Sequence, residues 1–345
     1  INTEEEVIEK KEEDLLFYNE YGGFSLDGKE YKFCTNFENK LPTSWSNVIA
    51  NKMFGVLVTE NMYDVIWNKN SRLNRLTAWS NDSVQNIPSQ IIYVRDLKND
   101  KVWTLNSGIL PNRNYYYVTY GFGYSKYKNV NDGILQETDI FVPNDRNMTI
   151  NKIRFKNTTS DEKKLKVLVY LKTVLGEDES KTDGSVYIEK NKNIVFMKNL
   201  IGVEEFRKIA YISSNLKIKN FTKNKKVFFG NGNLQNPDCL FGEVLDNKNG
   251  IGNCIGLEFE IDIEPYGEKY FNIIIGQENS IADIEKESSI LDNIKEIDLS
   301  LDDVNKKWSN ITNILNIKTP DESLNILLNG WIIYQTIVCR LWAKT

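Results

Sequence analysis

One polar segment holds four kinds of side chain that could bind a ligand. The segment reads WNKNSRLNRLTAWSND, from Trp67 to Asp82, and contains two tryptophans, two arginines, four asparagines and an aspartate. Indole rings offer flat apolar faces, guanidinium groups donate paired hydrogen bonds to anions, and amides bond hydroxyls or backbone groups. No apolar periodicity runs through the segment, although its surroundings have the pattern of β-strands. The segment is therefore either a loop that bonds mainly to itself or part of a surface that holds a ligand.

The chain contains no histidine, and this absence limits its chemistry. Without imidazole there is no Ser-His-Asp or Cys-His nucleophile and no histidine-ligated metal. No pair of carboxylates stands out from the solvated charges, so the sequence assigns no catalytic residue. It also predicts neither a metal site nor an organic cofactor.

Four cysteines are scattered along the chain without a CxxC pair, namely Cys34, Cys239, Cys254 and Cys339. This spacing excludes the usual zinc motifs and gives no disulfide framework. We therefore expect a reducing compartment and predict a cytoplasmic location.

Length and charge narrow the class of protein. A chain of 345 residues suggests about two domains, since a domain averages roughly 150 residues. The net charge of -5 and the isoelectric point near 5.2 argue against a nucleic-acid partner, because phosphate binding requires a basic face. No stretch approaches the roughly 20 consecutive apolar residues of a membrane helix, so the sequence predicts no membrane segment.

The central part of the chain has the pattern of an antiparallel β-protein. Short runs rich in Val, Ile, Tyr and Phe follow one another from Glu30 to about Gly276, and turn sequences such as LDGK and LKNDK separate them. Many runs alternate apolar with polar residues, as half-buried strands do. No long helices alternate with the strands, which argues against a parallel sheet. The sequence predicts a mainly β fold in which two large antiparallel sheets form a sandwich over residues 19–278.

Helical patterns lie on both sides of the sandwich. Residues 1–18 read as a polar lead-in helix, and residues 279–318 as a helical linker in which Ser300 is a candidate N-cap. A last helix over 319–345, with Thr319 as its predicted N-cap, is apolar on more than one face. Such a helix belongs inside a larger helical assembly. We expect a fragment cut inside a helical domain; the alternative is a helix that packs back on the sandwich.

Several stretches together resemble one family. They are FYNEYGGFSLDGKEY, PTSWSNVIANKMFGVLVTENMYDVIWNKNSRLNRLTAWSND, IYVRD, YGFGYSKYKN and TPDESLNILLNGWIIYQT. They look like the glycosyltransferase-36-type region of glycoside hydrolase family 94, which holds the cellobiose and chitobiose phosphorylases. FFGNGNLQNPDCL and GLEFEIDIEPYGEKYFNIIIG add a likeness to its β-1,2-glucan branch, the cyclic β-1,2-glucan synthase C-terminal region and the 1,2-β-oligoglucan phosphorylases. The resemblance covers essentially everything after Tyr18, and Trp45–Asp82 is its most specific part.

The resemblance implies a β-sandwich, a helical linker and an (α/α)6 barrel whose first helix is 319–345. It also implies an inverting phosphorylase, in which a carboxylic acid protonates the leaving oxygen and inorganic phosphate replaces the attacking water. The general-acid aspartate would lie downstream, so this chain alone is expected to be inactive. Phosphate would be the co-substrate, β-glucan oligosaccharide or glucose-1-phosphate the partner, and a homodimer is possible. The longer protein from which this fragment would come could also be membrane-anchored, with this region on the cytoplasmic side.

For the polar segment, the resemblance implies one wall of a sugar site. Its tryptophans would stack on sugar faces, its arginines would orient carboxylates, hydroxyls or phosphate, and its remaining polar residues would bond hydroxyls. The predicted substrate-binding residues are Trp67, Asn70, Arg72, Arg75, Trp79, Asn81 and Asp82. A rigid loop that bonds to its own backbone is an equally open interpretation.

Three functions remain open at this stage. The first is the N-terminal sandwich and linker of a β-glucan phosphorylase or cyclic-glucan synthase, shaping the sugar site of a downstream barrel. The second is a stand-alone carbohydrate-binding or dimerisation module, whose β-glucan affinity would be lost in a Trp67→Ala or Trp79→Ala variant. The third is a hydrolase that uses carboxylates already present in this chain.

Overall fold

A computed structural model describes residues 14–242 and 247–343. Most of the lead-in helix predicted over residues 1–18 lies outside these ranges. Within the described end of that region, Leu16 forms an isolated antiparallel bridge with Phe24.

Strands dominate the chain as far as residue 278. They are β1 Gly22–Phe24, β2 Tyr31–Thr35, β3 Ser46–Ala50, β4 Phe54–Thr59, β5 Met62–Asn68, β6 Arg75–Thr77, β7 Gln90–Asp96, β8 Val102–Thr104, β9 Tyr116–Gly121, β10 Tyr124–Asn131, β11 Ile134–Phe141, β12 Met148–Asn157, β13 Lys163–Leu171, β14 Thr173–Gly176, β15 Val186–Asn191, β16 Ile194–Asn199, β17 Ile209–Ser214, β18 Asn220–Thr222, β19 Gly250–Ile251, β20 Ile255–Ile263 and β21 Glu268–Glu278.

Helices are short before residue 280 and longer after it. They are α1 Glu179–Thr182, α2 Lys225–Phe229, α3 Ile281–Ser288, α4 Ile294–Thr312, α5 Glu322–Ile326 and α6 Ile332–Trp342, with single 3-10 turns at Glu204–Phe206, Asp238–Leu240 and Ser289–Asp292. A π-helical turn, Leu327–Trp331, joins α5 to α6 without a break. We call Glu322–Trp342 the C-terminal helix.

The strands form three antiparallel sheets. The large sheet has eleven strands in the order β1-β2-β9-β10-β11-β12-β21-β17-β16-β15-β19. Two five-stranded sheets, β18-β20-β13-β7-β8 and β14-β6-β5-β4-β3, make up the second layer. The predicted mainly β antiparallel fold followed by helices is therefore confirmed, with the second layer divided in two.

The main core lies between the large sheet and the two smaller sheets. Successive side chains of a strand point to opposite faces, so every second residue of β12 reaches this core. Ile153 and Phe155 of β12 pack there with Val167 of β13, Phe259 of β20 and Val56 of β4, and each of the five is fully buried. The two layers thus bury the apolar face of each strand, as in other sandwiches.

The opposite face of the large sheet is divided into an apolar half and a polar half. Ile150 of β12 and Ile274 of β21 belong to a second apolar cluster with α3, α4 and the C-terminal helix, through residues such as Ile284 and Val304. Further along β12 the residues of this face are charged, and they lie opposite acidic residues of β11: Lys152 pairs with Asp139 and Arg154 with Glu137. The helices therefore cover only the part of this face that is apolar.

The close contact between α4 and the turn that joins β9 to β10 requires a glycine in that turn. Gly123 lies in the turn between β9 and β10 with φ of +86°, and a Cβ atom there would lie 2.3 Å from Nε1 of Trp308. Only glycine combines this backbone angle with so close an approach. Trp308 in turn packs edge-on against Tyr334 of the C-terminal helix, with ring centroids 4.7 Å apart.

Two helix starts differ from the sequence prediction. Asn293, not Ser300, caps α4, and Ser300 lies in the interior of that helix. Asp321, not Thr319, caps the C-terminal helix, because its carboxylate accepts hydrogen bonds from the backbone of Ser323 and Leu324. Asn293 lies seven residues before Ser300 and Asp321 two residues after Thr319, and asparagine and aspartate are both among the preferred N-cap residues.

The C-terminal helix packs back on the sandwich along one side. The hydroxyl of Tyr334 lies 2.9 Å from Oδ1 of Asn47 and 2.7 Å from the carbonyl oxygen of Val48, and Nε1 of Trp331 donates to the carbonyl of Gly28 at 2.8 Å. By length and composition alone, this helix is also apolar enough to cross a membrane, a test that core helices of soluble proteins pass as well. Polar residues interrupt its apolar residues, so it contains no long run of consecutive apolar residues.

We expect Tyr334→Phe to lower the free energy of unfolding by about 1–2 kcal/mol, because it leaves buried acceptors without their donor. Chemical denaturation followed by tryptophan fluorescence measures this. Tyr266→Phe is the matched control, since Tyr266 is 67% exposed and the same atom is removed into solvent. Equal effects of the two substitutions would contradict the proposed anchoring role.

Candidate functional site

The loop between β5 and β6 bonds largely to itself. Oδ1 of Asn70 accepts hydrogen bonds from the backbone of Arg72 at 2.9 Å and Leu73 at 2.8 Å, and the side chain of Asn74 donates to the carbonyl of Asn68 at 2.8 Å. These are the short-range side-chain contacts that asparagine makes in turns. Asn70 thus shapes the loop backbone.

The same loop is tied to the large sheet. The side-chain amides of Asn68 and Asn74 both donate to Oε1 of Gln277 on β21, at 3.0 and 2.8 Å. All three residues are almost fully buried. A buried amide cluster of this kind fixes the loop, because each group would lose a partner if the loop moved.

The two tryptophans of the segment, Trp67 and Trp79, pack against Trp342 at the end of the C-terminal helix. We call this contact surface the seat of Trp342. Trp67 is 2% exposed and stacks on Trp342, with ring centroids 6.1 Å apart, and Trp79 meets Trp342 edge-on at 5.7 Å. The hydroxyl of Ser71 donates to the carbonyl of Trp342 at 2.6 Å. Trp67 is therefore a packing residue in this chain, and Trp79 is half-buried with part of its surface toward solvent.

The two arginines have different environments. Nε of Arg75 donates to the carbonyl of Ser71 and Nη1 donates to that of Glu177, while the guanidinium carbon lies 4.9 Å from the ring centre of Trp79. Burial lowers the pKa of Arg75, which stays cationic. Arg72 is the outward-facing member: its side chain is 67% exposed and lies 3.4 Å from the carboxylate of Glu177.

Asn81 and Asp82 end the segment in a turn. Asn81 is exposed and has φ of +49°, a left-handed conformation that asparagine tolerates. Oδ1 of Asp82 accepts from the backbone of Val84 and Gln85, and these hydrogen bonds hold the pKa of Asp82 below its usual value. Neither residue lines the cleft described next.

A cleft of about 490 Å³ opens beside Arg75 and Trp79. Its wall also contains polar and charged groups from the region around α1, namely Lys172, Glu177, Asp178, Glu179, Ser180, Asp183 and Asn253. Oδ1 of Asn253 is buried and has no hydrogen-bond partner among the described residues. The cleft therefore offers an aromatic edge and two cationic groups, a combination suited to a small hydroxylated ligand.

The carboxylates of this cleft are not arranged for acid catalysis. The hydrogen bond from Lys181 lowers the pKa of Glu177, and that from Ser180 lowers the pKa of Asp178. Burial alone would raise the pKa of Glu179, but its hydrogen bonds from Lys172 and Lys225 outweigh this and lower it. A general acid needs a raised pKa, so these three groups are not suited to protonate a leaving group.

The carboxylate of Asp64, which the sequence analysis did not single out, has a raised pKa. Asp64 is the extra residue of a β-bulge in β5, because Tyr63 pairs with Val58 while Val65 pairs with Leu57. Burial raises the pKa of Asp64 to about 6, although Nε1 of Trp79 donates to its Oδ2 at 2.8 Å. Its Oδ1 is buried without a partner among the described residues. A proton on Oδ1 therefore removes the charge without disturbing Trp79.

No group of three or more acidic or cysteine side chains in the described ranges is placed to hold a metal ion. Trp342 and Glu177 are contact residues of the segment that sequence reasoning missed, since both come from distant parts of the chain. The apolar pattern of the last helix was the one available signal for Trp342.

We predict that Asp64 destabilises the fold as the pH rises from about 4 to 7. Its folded pKa of about 6 exceeds the unfolded value of about 3.9, so the folded state binds the proton more tightly. This stability is present below the unfolded pKa and is lost as the pH rises through about 6, a loss on the order of 3 kcal/mol. Asp64→Asn keeps the acceptor for Trp79 and cannot titrate. Unfolding free energies of the two proteins should diverge across this range; parallel pH curves would contradict the assignment.

Comparison with known proteins identifies two regions of the chain. Residues 29–293 match glycosyl hydrolase 94, supersandwich domain, and residues 307–345 match glycosyl hydrolase 94 superfamily, catalytic domain. The second match includes the end of α4 and the whole C-terminal helix.

Three relatives align with nearly the whole chain. The cyclic beta-(1,2)-glucan synthase NdvB of Rhizobium meliloti is 27% identical over 341 residues, covering 96% of this chain and 12% of the synthase. The N,N'-diacetylchitobiose phosphorylase of Vibrio furnissii is 20% identical over 336 residues, covering 94% of this chain and 41% of the phosphorylase. The 3-O-beta-D-glucopyranosyl-beta-D-glucuronide phosphorylase of Paenibacillus borealis is 20% identical over 343 residues, covering 92% and 41%. This chain thus spans less than half the length of each relative. The match over residues 29–293 shows that the chain belongs to glycosyl hydrolase family 94, as its supersandwich domain followed by the beginning of its catalytic domain.

Proposed function

We propose that this chain is the N-terminal part of an inverting β-glucan phosphorylase or of a cyclic β-1,2-glucan synthase-type enzyme. In this proposal the sandwich positions the catalytic domain and shapes its sugar site. The main support for this proposal is the contact between the polar segment and the C-terminal helix. Trp67, Trp79 and Ser71 all contact Trp342 of that helix. That helix lies within the match to the catalytic domain.

The pKa values of the carboxylates near the segment indicate which part of the enzyme would hold the general acid. Phosphorolysis with inversion needs one carboxylic acid, since phosphate itself is the nucleophile. Glu177, Asp178 and Glu179 have lowered pKa values, so they support a positioning role. We assign the general acid to the rest of the catalytic domain, which in an (α/α)6 barrel would follow the C-terminal helix.

Arg72 is the member of the segment best placed to act outside this chain. It lies beyond the seat of Trp342, its side chain is mostly exposed, and its contact with Glu177 is long at 3.4 Å. An arginine in this setting can form a charge-assisted bond to a phosphate or to a carboxylate of a catalytic loop. Arg75 and Asn70 would support it by fixing the loop from which it projects.

The proposed location is the cytoplasm. All four cysteines are free thiols, which supports a reducing compartment. The proposed substrates are β-glucan oligosaccharides with inorganic phosphate, or glucose-1-phosphate with a β-glucan acceptor in the reverse direction.

The proposal predicts that Arg72→Ala raises the KM for β-1,2-glucan oligosaccharide or for phosphate by about tenfold or more in the enzyme that contains the complete catalytic domain. A charge-assisted hydrogen bond contributes about 1.5–3 kcal/mol, which corresponds to that change. The thermal midpoint should remain unchanged, because Arg72 is exposed.

Arg113→Ala is the matched control for this experiment. Arg113 is likewise exposed and pairs with a surface glutamate, Glu38, at 3.0 Å. If Arg72→Ala and Arg113→Ala give the same kinetics as the unaltered enzyme, the segment has no role at the sugar site.

A separate assay tests the assignment of the general acid. Residues 1–345 alone should release no phosphate from glucose-1-phosphate and a β-1,2-glucan acceptor. Glu177, Asp178 and Glu179 of the cleft have lowered pKa values, and Asp64, whose pKa is raised, is buried and does not line the cleft. Clear turnover by this chain would show that the catalytic acid lies within it.

A further inference from the structure

A broad trough lies on the polar half of the outer face of the large sheet. Its volume is about 1110 Å³, and residues near Tyr18 and Tyr21 border it. Its floor is built from β9, β10, β11, β12 and β21, and none of the residues from Trp67 to Asp82 lines it. The trough is therefore separate from the site at the polar segment.

The basic groups of the floor already have acidic partners. Nζ of Lys126 lies 3.5 Å from Glu30, and Nζ of Lys152 bonds Asp298 of α4. Arg154 is paired in the same way, with Glu137 and Glu268. Because positive charges are neutralised within the wall, the floor presents fixed donors and acceptors rather than a cationic field. This arrangement is unsuited to a phosphate or a polyanion, which needs unpaired cations.

One carboxylate of the floor has no such partner. Asp139 of β11 lies opposite Lys126 on β10 and Lys152 on β12, but both lysines bond other acids. Within the described ranges, neither a hydrogen bond nor an ion pair within 4.0 Å engages its carboxylate. It is partly buried, and burial raises its pKa. Its two oxygens are available to accept hydrogen bonds from adjacent hydroxyls of a ligand.

Aromatic rings stand at the two ends of the neighbouring row of side chains, which crosses β11 at Glu137, two residues along the strand from Asp139. Tyr270 of β21 lies beyond β12, with Nζ of Lys152 5.8 Å from its ring centre, and Tyr117 of β9 lies beyond β10. Four strand spacings separate β9 from β21, or about 19 Å. The floor is therefore long enough for several sugar rings, with an aromatic ring at each end and Asp139 on the central strand, beside the line that joins the two rings.

We propose that this trough binds an uncharged oligosaccharide chain, with Asp139 accepting hydrogen bonds from ring hydroxyls and Tyr270 supporting a sugar face. The choice of a β-glucan as the chain rests on the proposed function, whereas the preference for a neutral polyhydroxylated ligand rests on the trough itself. Such a site would hold a long glucan on the sandwich while one end of it reaches the catalytic domain.

Isothermal titration of residues 1–345 with linear β-1,2-glucan oligosaccharides tests the proposal. We expect measurable binding, weakened about tenfold or more by Asp139→Asn and by Tyr270→Ala. Asp139→Asn preserves shape, so it remains informative even if loss of the Tyr270 ring disturbs the sheet. Glu260→Gln is the matched control, since it removes a carboxylate from β20, outside the trough, and should leave affinity unchanged.

Three results would overturn the proposal. They are absence of binding to β-1,2-glucan and to cello-oligosaccharides, equal affinity in all variants, and binding of inorganic phosphate in place of glycan. The proposed function is tested apart from this, by phosphorolysis and the Arg72 variant. Loss of glycan affinity in Asp139→Asn, together with absence of phosphorolysis by the enzyme that contains the complete catalytic domain, would support the trough and reject the proposed function.

Discussion

The arrangement of sheets and helices depends on the buried side chain of Asn47. Its amide nitrogen lies 3.1–3.2 Å from the carbonyls of Gly121 and Tyr124 and from the hydroxyl of Ser125, and its oxygen accepts from Tyr334. One residue of β3 thereby joins a small sheet, the β9–β10 turn of the large sheet and the C-terminal helix. A buried polar group is stable only with its partners in place, so these three elements must be correctly placed together.

The two faces of the large sheet explain where its sites can lie. One face of the large sheet packs against the main core. Ligand contacts are therefore confined to the other face of that sheet and to the rim of the smaller sheets. Along β12 the change from Ile150 to Lys152 marks where helical cover ends and open surface begins. The polar segment Trp67–Asp82 and the trough thus occupy separate surfaces, one against the C-terminal helix and one on the polar half of the outer face.

The sandwich followed by helices could be predicted because alternation along strands is a local signal. The helix starts were wrong because several capping side chains lie close together, and tertiary packing selects among them. The environment of Trp67 could not be predicted, since the ring that covers it comes from the end of the chain. The bulge at Asp64 depends on strand register, which the sequence does not display.

The π-helical turn Leu327–Trp331 sets the rotation of everything that follows it. It places Trp331 toward Gly28 and, farther along, Trp342 into the seat formed by Trp67 and Trp79. Its five residues cover about the same rotation as four residues of a regular α-helix, so the turn takes up one extra residue while the distal half keeps its orientation. Deleting one residue there would therefore restore a regular helix and leave Trp342 against Trp67 and Trp79. Related chains should accept the loss of this extra residue more readily than a one-residue change elsewhere in the helix, which would turn the distal half by about 100° about its axis.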